Sequence, residues 1–152
     1  MMAREGNYKN VPSTLKPGLT RFAQAWCCVL TGAILSKIVD EKFMLTEEFR
    51  NGFSIPEKLF YQYLTVKLTM QTYLVGWCLM ECGPIAAGLS YNGVDEETGE
   101  VKHDRVQSCV IWKLETSNRI KDFLANWNIS AHMWLKYYIF LRMLPNDKKG
   151  GG

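Results

Sequence analysis

Apolar residues are concentrated in long blocks along this chain. Residues 22–39 read FAQAWCCVLTGAILSKIV and carry a single charge, Lys37, near their end. A helix of this length extends roughly 27 Å, close to the thickness of a bilayer core. The block therefore predicts a membrane-embedded helix. A buried helix of a soluble bundle is the alternative, because Gln24, Thr31 and Ser36 lower the hydrophobicity of the block.

A second apolar block covers residues 59–94 and contains only two charges, Lys67 and Glu81. Gly83-Pro84 lies inside it, and proline removes a helical hydrogen-bond donor and clashes with the preceding turn. The block predicts a long helix broken near Gly83-Pro84. Broken helices are tolerated at membrane depth where they line a cavity.

Glu81 is the acidic residue of this second block. An ionisable side chain among apolar ones is costly unless it is paired or in contact with water, which makes Glu81 a candidate functional residue. The alternative is that Glu81 marks the end of the helix that faces water.

Polar segments separate the blocks. Residues 1–21 predict a loop leading to the first helix, and residues 40–58 a loop or a short surface helix. Asn92-Gly93 is a strong turn signal, followed by the acidic stretch DEETGE. A calcium loop is a weaker interpretation of this stretch than a solvated loop, because the spacing of acidic residues in an EF-hand is absent.

The last apolar pattern is a helical stripe. Ser117 is a predicted N-cap for a helix beginning at Asn118, with Asn128 at the edge of the stripe. Tryptophan and tyrosine are frequent towards its end, where Lys136 and Arg142 interrupt the apolar residues. This mixture is typical of an interfacial membrane helix.

Composition narrows the class of protein. Hydrophobic residues make up 47% of the 152 residues and charged ones 22%, which excludes a disordered chain. The formal net charge is +3, so the sequence gives no case for a nucleic-acid partner. Four of the five cysteines lie inside apolar runs, which favours reduced thiols over a disulfide framework.

Candidates for a metal or nucleophilic centre are weak. Cys78 and Cys82 would share a helix face. Together with Cys109 and His103 they could ligate zinc, but small side chains packing along a helix are the commoner arrangement. Neither His103 nor His132 stands in a recognised triad or elbow motif. We therefore expect no metal site.

A series of short motifs follows in order between residues 61 and 143, without large gaps. The motifs are Tyr61-Gln62-Tyr63, Trp77 with Glu81, Gly88-Leu89-Ser90-Tyr91-Asn92-Gly93, His103-Asp104-Arg105-Val106-Gln107, Glu115, Asn126-Trp127-Asn128-Ile129-Ser130, and Trp134-Leu135-Lys136-Tyr137-Tyr138 with Arg142. This series resembles the membrane-bound O-acyltransferase family, and within it the lysophospholipid acyltransferases. His103 departs from the family pattern, which has Trp before Asp-Arg.

The resemblance implies a multi-pass protein of the endoplasmic reticulum membrane. Such a protein moves a fatty acyl group from acyl-CoA to the free hydroxyl of a lysophospholipid, with acyl-CoA as co-substrate and no cofactor. Its partners would be membrane lipids and these two substrates. In the family an Asn and a His carry the reaction. The Asn maps onto Asn128, and the His would lie beyond Gly152, so the chain alone is expected to be inactive.

The resemblance also implies residues around the reacting atoms. Asn128 would be catalytic, and the residues expected to line the active site or substrate are Glu81, Asp104, Glu115, Trp127 and Trp134.

We thus expect an all-α fold, with polytopic membrane helices, a broken helix and an interfacial amphipathic helix. Residues 1–152 would form a single partial O-acyltransferase domain. The membrane-embedded segments of this domain would be residues 22–39 and 59–94. A polar loop would follow at 95–117, and the active-site or interfacial helix would cover 118–144. The alternatives are a family member that acylates a protein or sterol, and a non-catalytic, truncated helical protein that binds membranes or a partner.

Overall fold

The computed structural model describes residues 11–144. Its elements are α1 Leu15–Ile38, a 3₁₀ helix Glu41–Leu45, α2 Glu47–Gly52, α3 Ile55–Ala86, α4 Ile111–Thr116, α5 Ile120–Asn126, α6 Ile129–Trp134, a π-helix Leu135–Phe140 and α7 Leu141–Met143. Within these residues the only β feature is an isolated antiparallel bridge between Val94 and Val101. The all-α prediction is confirmed.

The chain divides into two compact units. Within the described residues, one unit comprises residues 18–82, and the other comprises residues 11–17 together with 83–144. The first unit holds the helical hairpin of α1 and α3, and the second holds the short helices α4 to α7.

α1 matches the membrane helix predicted at residues 22–39. In the described part of the chain, the stretch Leu15–Leu45 is the one helix long and apolar enough to cross a membrane. Only 17% of its most apolar window is buried. The helix begins inside the predicted N-terminal loop, with Pro17 in its first turn, where backbone N–H groups have no helical partner to lose. The membrane depth of residues 22–39 and of residues 59–94 stays a prediction.

We expect the chain to stay with membranes during alkaline carbonate extraction, because α1 exposes a long apolar surface. The control is the double substitution Leu30→Asp and Ile34→Asp, since each charge costs about 2.5–3.5 kcal/mol at the centre of a membrane helix. The control should lose membrane association. Release of the unaltered chain as a folded soluble monomer would instead support the soluble bundle.

α1 and α3 pack closely within the first unit. Ala25 of α1 and Leu74 and Cys78 of α3 are buried almost completely. A Cβ placed on Gly32 of α1 would lie 3.5 Å from the Cβ of Gln71 on α3. Small residues at such a contact let two helices approach closely, as they do in membrane proteins.

The connection between α1 and α3 is held by Tyr61. Its hydroxyl accepts a hydrogen bond from the Asp40 backbone N–H at 2.8 Å and donates to the Asp40 carbonyl at 3.0 Å. The Tyr61 ring also contacts Phe43 and Phe49, with centroids 5.7 and 5.3 Å away. The 3₁₀ helix and α2 confirm the short surface helix that was one interpretation of residues 40–58.

α3 continues past its predicted break. Pro84 lies inside the helix, which ends at Ala86. The end is a Schellman motif, because the Gly88 N–H donates to Ile85 and the Leu89 N–H to Pro84, both at 2.9 Å. Gly88 has φ +75°, and a Cβ there would lie 3.2 Å from Val11 Cγ1. The helix therefore stops at Gly88, where glycine supplies the left-handed conformation, and not at the proline.

The predicted continuous helix over residues 118–144 is wrong. Helical structure is interrupted at Trp127 and Asn128, between α5 and α6. Ser117 does not cap α5. Its hydroxyl donates to the Lys113 carbonyl at the end of α4, a helix that lies inside the predicted polar loop.

Candidate active site

Asn128 occupies a left-handed turn between α5 and α6. Its backbone has φ 49° and ψ 57°, and in residues 11–144 it is the only residue other than glycine with positive φ. Most side chains lose roughly 1–2 kcal/mol in this conformation, whereas Asn tolerates it. The turn therefore favours Asn or Gly at this position over other residues.

Two backbone hydrogen bonds clamp this turn from a distant segment. The Ile129 N–H donates to the Ser108 carbonyl at 2.7 Å, and the Val110 N–H donates to the Asn126 carbonyl at 3.3 Å. Cys109, between the two anchoring residues, is completely buried. The backbone on both sides of Asn128 is thus fixed by contacts outside its own helix.

The Asn128 side chain is oriented by the helix that follows it. Its Oδ1 accepts the Ala131 backbone N–H at 3.3 Å, as an N-cap does. Within the described residues, Nδ2 has no protein partner. Because Asn128 is only half-buried, its amide N–H₂ can donate to a bound molecule.

The two predicted tryptophans flank this turn in sequence. Trp127 follows α5 as its C-cap, is half-buried, and stacks on Phe123 with centroids 5.7 Å apart. Trp134 ends α6, is 54% exposed, and stacks on Tyr138 at 6.3 Å. Trp127 therefore adjoins Asn128 directly, whereas Trp134 belongs to an exposed aromatic surface.

Asp104 lies in a second cluster of the same unit. Its Oδ1 accepts from Asn92 Nδ2 at 2.7 Å, and the neighbouring Arg105 N–H donates to the Ser90 carbonyl at 3.2 Å. His103 Nδ1 lies 3.1 Å from Oγ of the fully buried Ser90. The histidine that stands in place of the family Trp is thus part of a polar contact that joins two loop segments.

The remaining predicted residues lie apart from Asn128 in the chain. Glu115 is exposed on α4. Glu81 is 4% exposed, so it does not mark a water-facing helix end within this chain. Its Oε2 lies 2.7 Å from Arg21 Nε, and its Oε1 accepts from Arg21 Nη2 at 2.8 Å.

No three His, Cys, Asp or Glu side chains between residues 11 and 144 are grouped so as to hold a metal ion.

The sequence-based predictions missed Arg21 and Ser108. Arg21 directly precedes the first apolar block, and Glu81 lies near the end of the second. Two helices joined as a hairpin bring the start of one beside the end of the other, so this pairing has a sequence signal. Ser108 contributes through its backbone carbonyl, which no side-chain pattern reveals.

The acidic turn after Asn92 is stabilised by Asp95. Lys102 Nζ lies 2.5 Å from its Oδ2, and the N–H groups of Glu97 and Thr98 donate to its Oδ1. The hydrogen bond from Lys102, followed by those from the backbone, lowers the pKa of Asp95 to about 2. The same contact raises the pKa of Lys102.

We expect this turn to keep its structure until strongly acidic pH. Because the folded pKa of Asp95 lies below the unfolded value of about 3.9, its contribution is present above that value and is lost as the pH falls through about 2. Carboxyl ¹³C shifts followed by NMR should give a midpoint near the lower value. Lys102→Met should move the midpoint upwards, and an unchanged midpoint in that variant would contradict the assignment.

Comparison with known proteins relates this chain to a single family of membrane enzymes. Residues 2–152 match the model of the membrane-bound O-acyltransferase family. A lysophospholipid acyltransferase of Saccharomyces cerevisiae is 28% identical over 146 residues, which cover 96% of this chain and 24% of that protein. One of Schizosaccharomyces pombe is 31% identical over 140 residues, covering 92% and 27%. Human lysophospholipid acyltransferase 5 is 29% identical over 133 residues, covering 88% and 27%. The chain spans about a quarter of the length of these relatives.

Proposed function

Since the chain belongs to the membrane-bound O-acyltransferase family, we propose that it forms part of an enzyme that acylates lysophospholipids. The acyl donor would be acyl-CoA, the acceptor the free hydroxyl of the lysophospholipid, and the location the endoplasmic reticulum membrane. The names of the relatives support the substrate class. The observation that carries the proposal is the clamped turn, which presents an oriented amide at Asn128.

In the proposed reaction the hydroxyl oxygen of the lysophospholipid attacks the thioester carbonyl carbon of acyl-CoA. A carbon–oxygen ester bond forms and the carbon–sulfur bond breaks. The hydroxyl proton passes to a general base, and a proton returns to the sulfur as CoA leaves. Negative charge develops on the thioester oxygen during the attack.

Asn128 Nδ2 is suited to donate a hydrogen bond to that oxygen. Its geometry needs no rearrangement, because Oδ1 is already held by the Ala131 N–H and the backbone by the Ser108 carbonyl. A single preorganised donor of this kind typically contributes ~10²–10³-fold in rate. The amide cannot accept the proton, so a separate general base is required.

We assign the general base to neither histidine of this chain. His103 is tied to Ser90 Oγ, in the cluster that contains Asp104. His132 is exposed on α6. The general base in this proposal is therefore a group other than these two histidines.

The 152-residue chain alone should therefore show no acyl transfer. The measurement is incorporation of labelled acyl groups from acyl-CoA into lysophosphatidylcholine by the purified, reconstituted chain. Turnover above the uncatalysed background, abolished by His103→Ala or His132→Ala, would show that one of these histidines is the base.

The substrate class is tested in the complete enzyme to which this segment is proposed to contribute. Membranes containing it are given labelled acyl-CoA together with lysophosphatidylcholine, cholesterol or a peptide. The label should enter phospholipid, and excess unlabelled lysophospholipid should compete. Labelled sterol ester or peptide, without labelled phospholipid, would assign the protein to another branch of the family.

A further inference from the structure

The first unit contains an open groove between α1 and α3. Its volume is about 340 Å³, within the usual size range of small-molecule pockets. Its principal lining residues are Val29, Gly32 and Ala33 of α1 and Leu68, Gln71 and Val75 of α3. None of the residues that line it is acidic or basic, so the groove suits an uncharged, largely apolar occupant and not the phosphates of a nucleotide or a lipid head group.

Gln71 is the unusual member of this lining. It is 8% exposed, and within the described residues its side-chain amide makes no hydrogen bond. The residue is mostly buried but its amide is not enclosed, so the amide is accessible to a partner in the groove. Covering the amide with apolar groups alone would be unfavourable. The occupant should therefore supply a hydrogen-bond acceptor as well as apolar surface.

The position of the groove on α1 narrows the occupant further. It reaches from Ser36, near the end of α1, inwards to Cys28, within the stretch apolar enough to span a membrane. The polar segment 40–58 follows directly after that end of α1. A bilayer lipid presents a polar glycerol region at such an end and an apolar chain along the interior of the helix.

We infer that the groove binds one acyl chain of a bilayer phospholipid, with the Gln71 amide donating to an ester carbonyl of that lipid. Gly32 contributes a backbone surface without a side chain to the groove wall, next to Gln71, so a larger residue there would project into the groove. The inference concerns lipid binding in the helical hairpin and does not depend on acyl transfer at Asn128.

The test uses the full chain in phosphatidylcholine vesicles that contain a phosphatidylcholine with a diazirine group on one acyl chain. After irradiation, mass spectrometry locates the cross-links. Leu68 and Val75 in the groove should be labelled several-fold more than Leu79, an exposed residue of α3 that does not line the groove. Equal labelling of all three would overturn the inference.

Gly32→Leu should abolish the preference for the groove, because the new side chain fills it. The matched control is Gly76→Leu, at a helical glycine of α3 where a Cβ would meet nothing within 4 Å. The control should show the same labelling pattern as the unaltered chain. Circular dichroism should give the same helix content for both variants. Unchanged groove labelling in Gly32→Leu would overturn the inference.

Gln71→Met tests the hydrogen bond, because it keeps a similar side-chain volume without the donor. Groove labelling should fall several-fold, and labelling equal to that of the unaltered chain would contradict the role given to the amide.

A second copy of the chain is the competing occupant of the groove. The variant Val29→Cys tests this alternative. If it formed disulfide-linked dimers and gave no lipid cross-links, the groove would be a protein interface.

Discussion

Asn128→Gly and Asn128→Asp should each lower turnover of the complete enzyme by ~10²–10³-fold while protein abundance stays near that of the unaltered enzyme. Both substitutions remove the N–H₂ donor. Glycine adopts the left-handed turn freely, and replacing an Asn cap by glycine costs only a few tenths of a kcal/mol. Aspartate tolerates the turn and keeps an oxygen for the Ala131 N–H.

Asn128→Ala should behave differently from these two variants. Alanine in the left-handed conformation costs roughly 1–2 kcal/mol, and losing the cap costs a further ~0.5–2 kcal/mol. Activity and abundance should therefore fall together. An amide at the edge of a continuous helical stripe, as the sequence indicates, would tolerate alanine without loss of protein.

Trp127→Ala is the control for packing at the same turn. It removes a half-buried ring stacked on Phe123 and should lower abundance and activity in proportion. The measurements are kcat with acyl-CoA and lysophosphatidylcholine, and enzyme level by immunoblot. If the glycine and aspartate variants lost activity only as far as they lost protein, Asn128 would be a packing residue and the catalytic assignment would be wrong.

The interruption at Asn128 could not be predicted from local sequence. Apolar residues recur at helical spacing on both sides of it, and neither glycine nor proline marks the break. The turn is fixed by the backbone groups of Ser108 and Val110, about twenty residues earlier in the chain. The spacing of apolar residues indicates which face of a helix is apolar, but it does not indicate the backbone contacts that end the helix.

The long helices α1 and α3, which depend on local composition, were predicted more completely than the turn at Asn128. The charge-free run after Arg21 gave α1, and the second block gave most of α3. The predicted break at Gly83-Pro84 is not seen, because α3 continues through Pro84 and ends in the Schellman motif at Gly88. The need of Glu81 for a partner followed from its apolar neighbours, whereas the identity of that partner required the packing of α1 on α3.

Removing either partner of the Arg21–Glu81 pair should destabilise the chain by roughly 3–5 kcal/mol, because a buried charge is left without its counter-ion. The two side chains are 8% and 5% exposed and meet in a bidentate contact. Arg21→Met and Glu81→Met are the single variants. Arg21→Lys should also destabilise, since an ammonium group cannot reproduce the planar fork.

The double variant Arg21→Met/Glu81→Met should recover most of the lost stability. Replacing a buried ion pair by apolar side chains of similar volume is often neutral or stabilising. The free energy of unfolding in detergent micelles, measured for all four members of the cycle, gives the coupling between the two residues. Coupling near zero would show that the pair does not hold α1 against α3.

The exposed pair Glu47–Arg50 supplies a matched control in the same chain. Its side chains are 72% and 68% exposed, so Glu47→Gln should change stability by no more than about 1 kcal/mol.

Glu81 was also predicted to line the substrate site, and the double variant tests that role separately. A stable double variant that retains acyl transfer in the complete enzyme would make Glu81 a positioning residue of the helical hairpin. A stable double variant that loses acyl transfer would show that the charged Arg21–Glu81 pair is needed for the reaction itself.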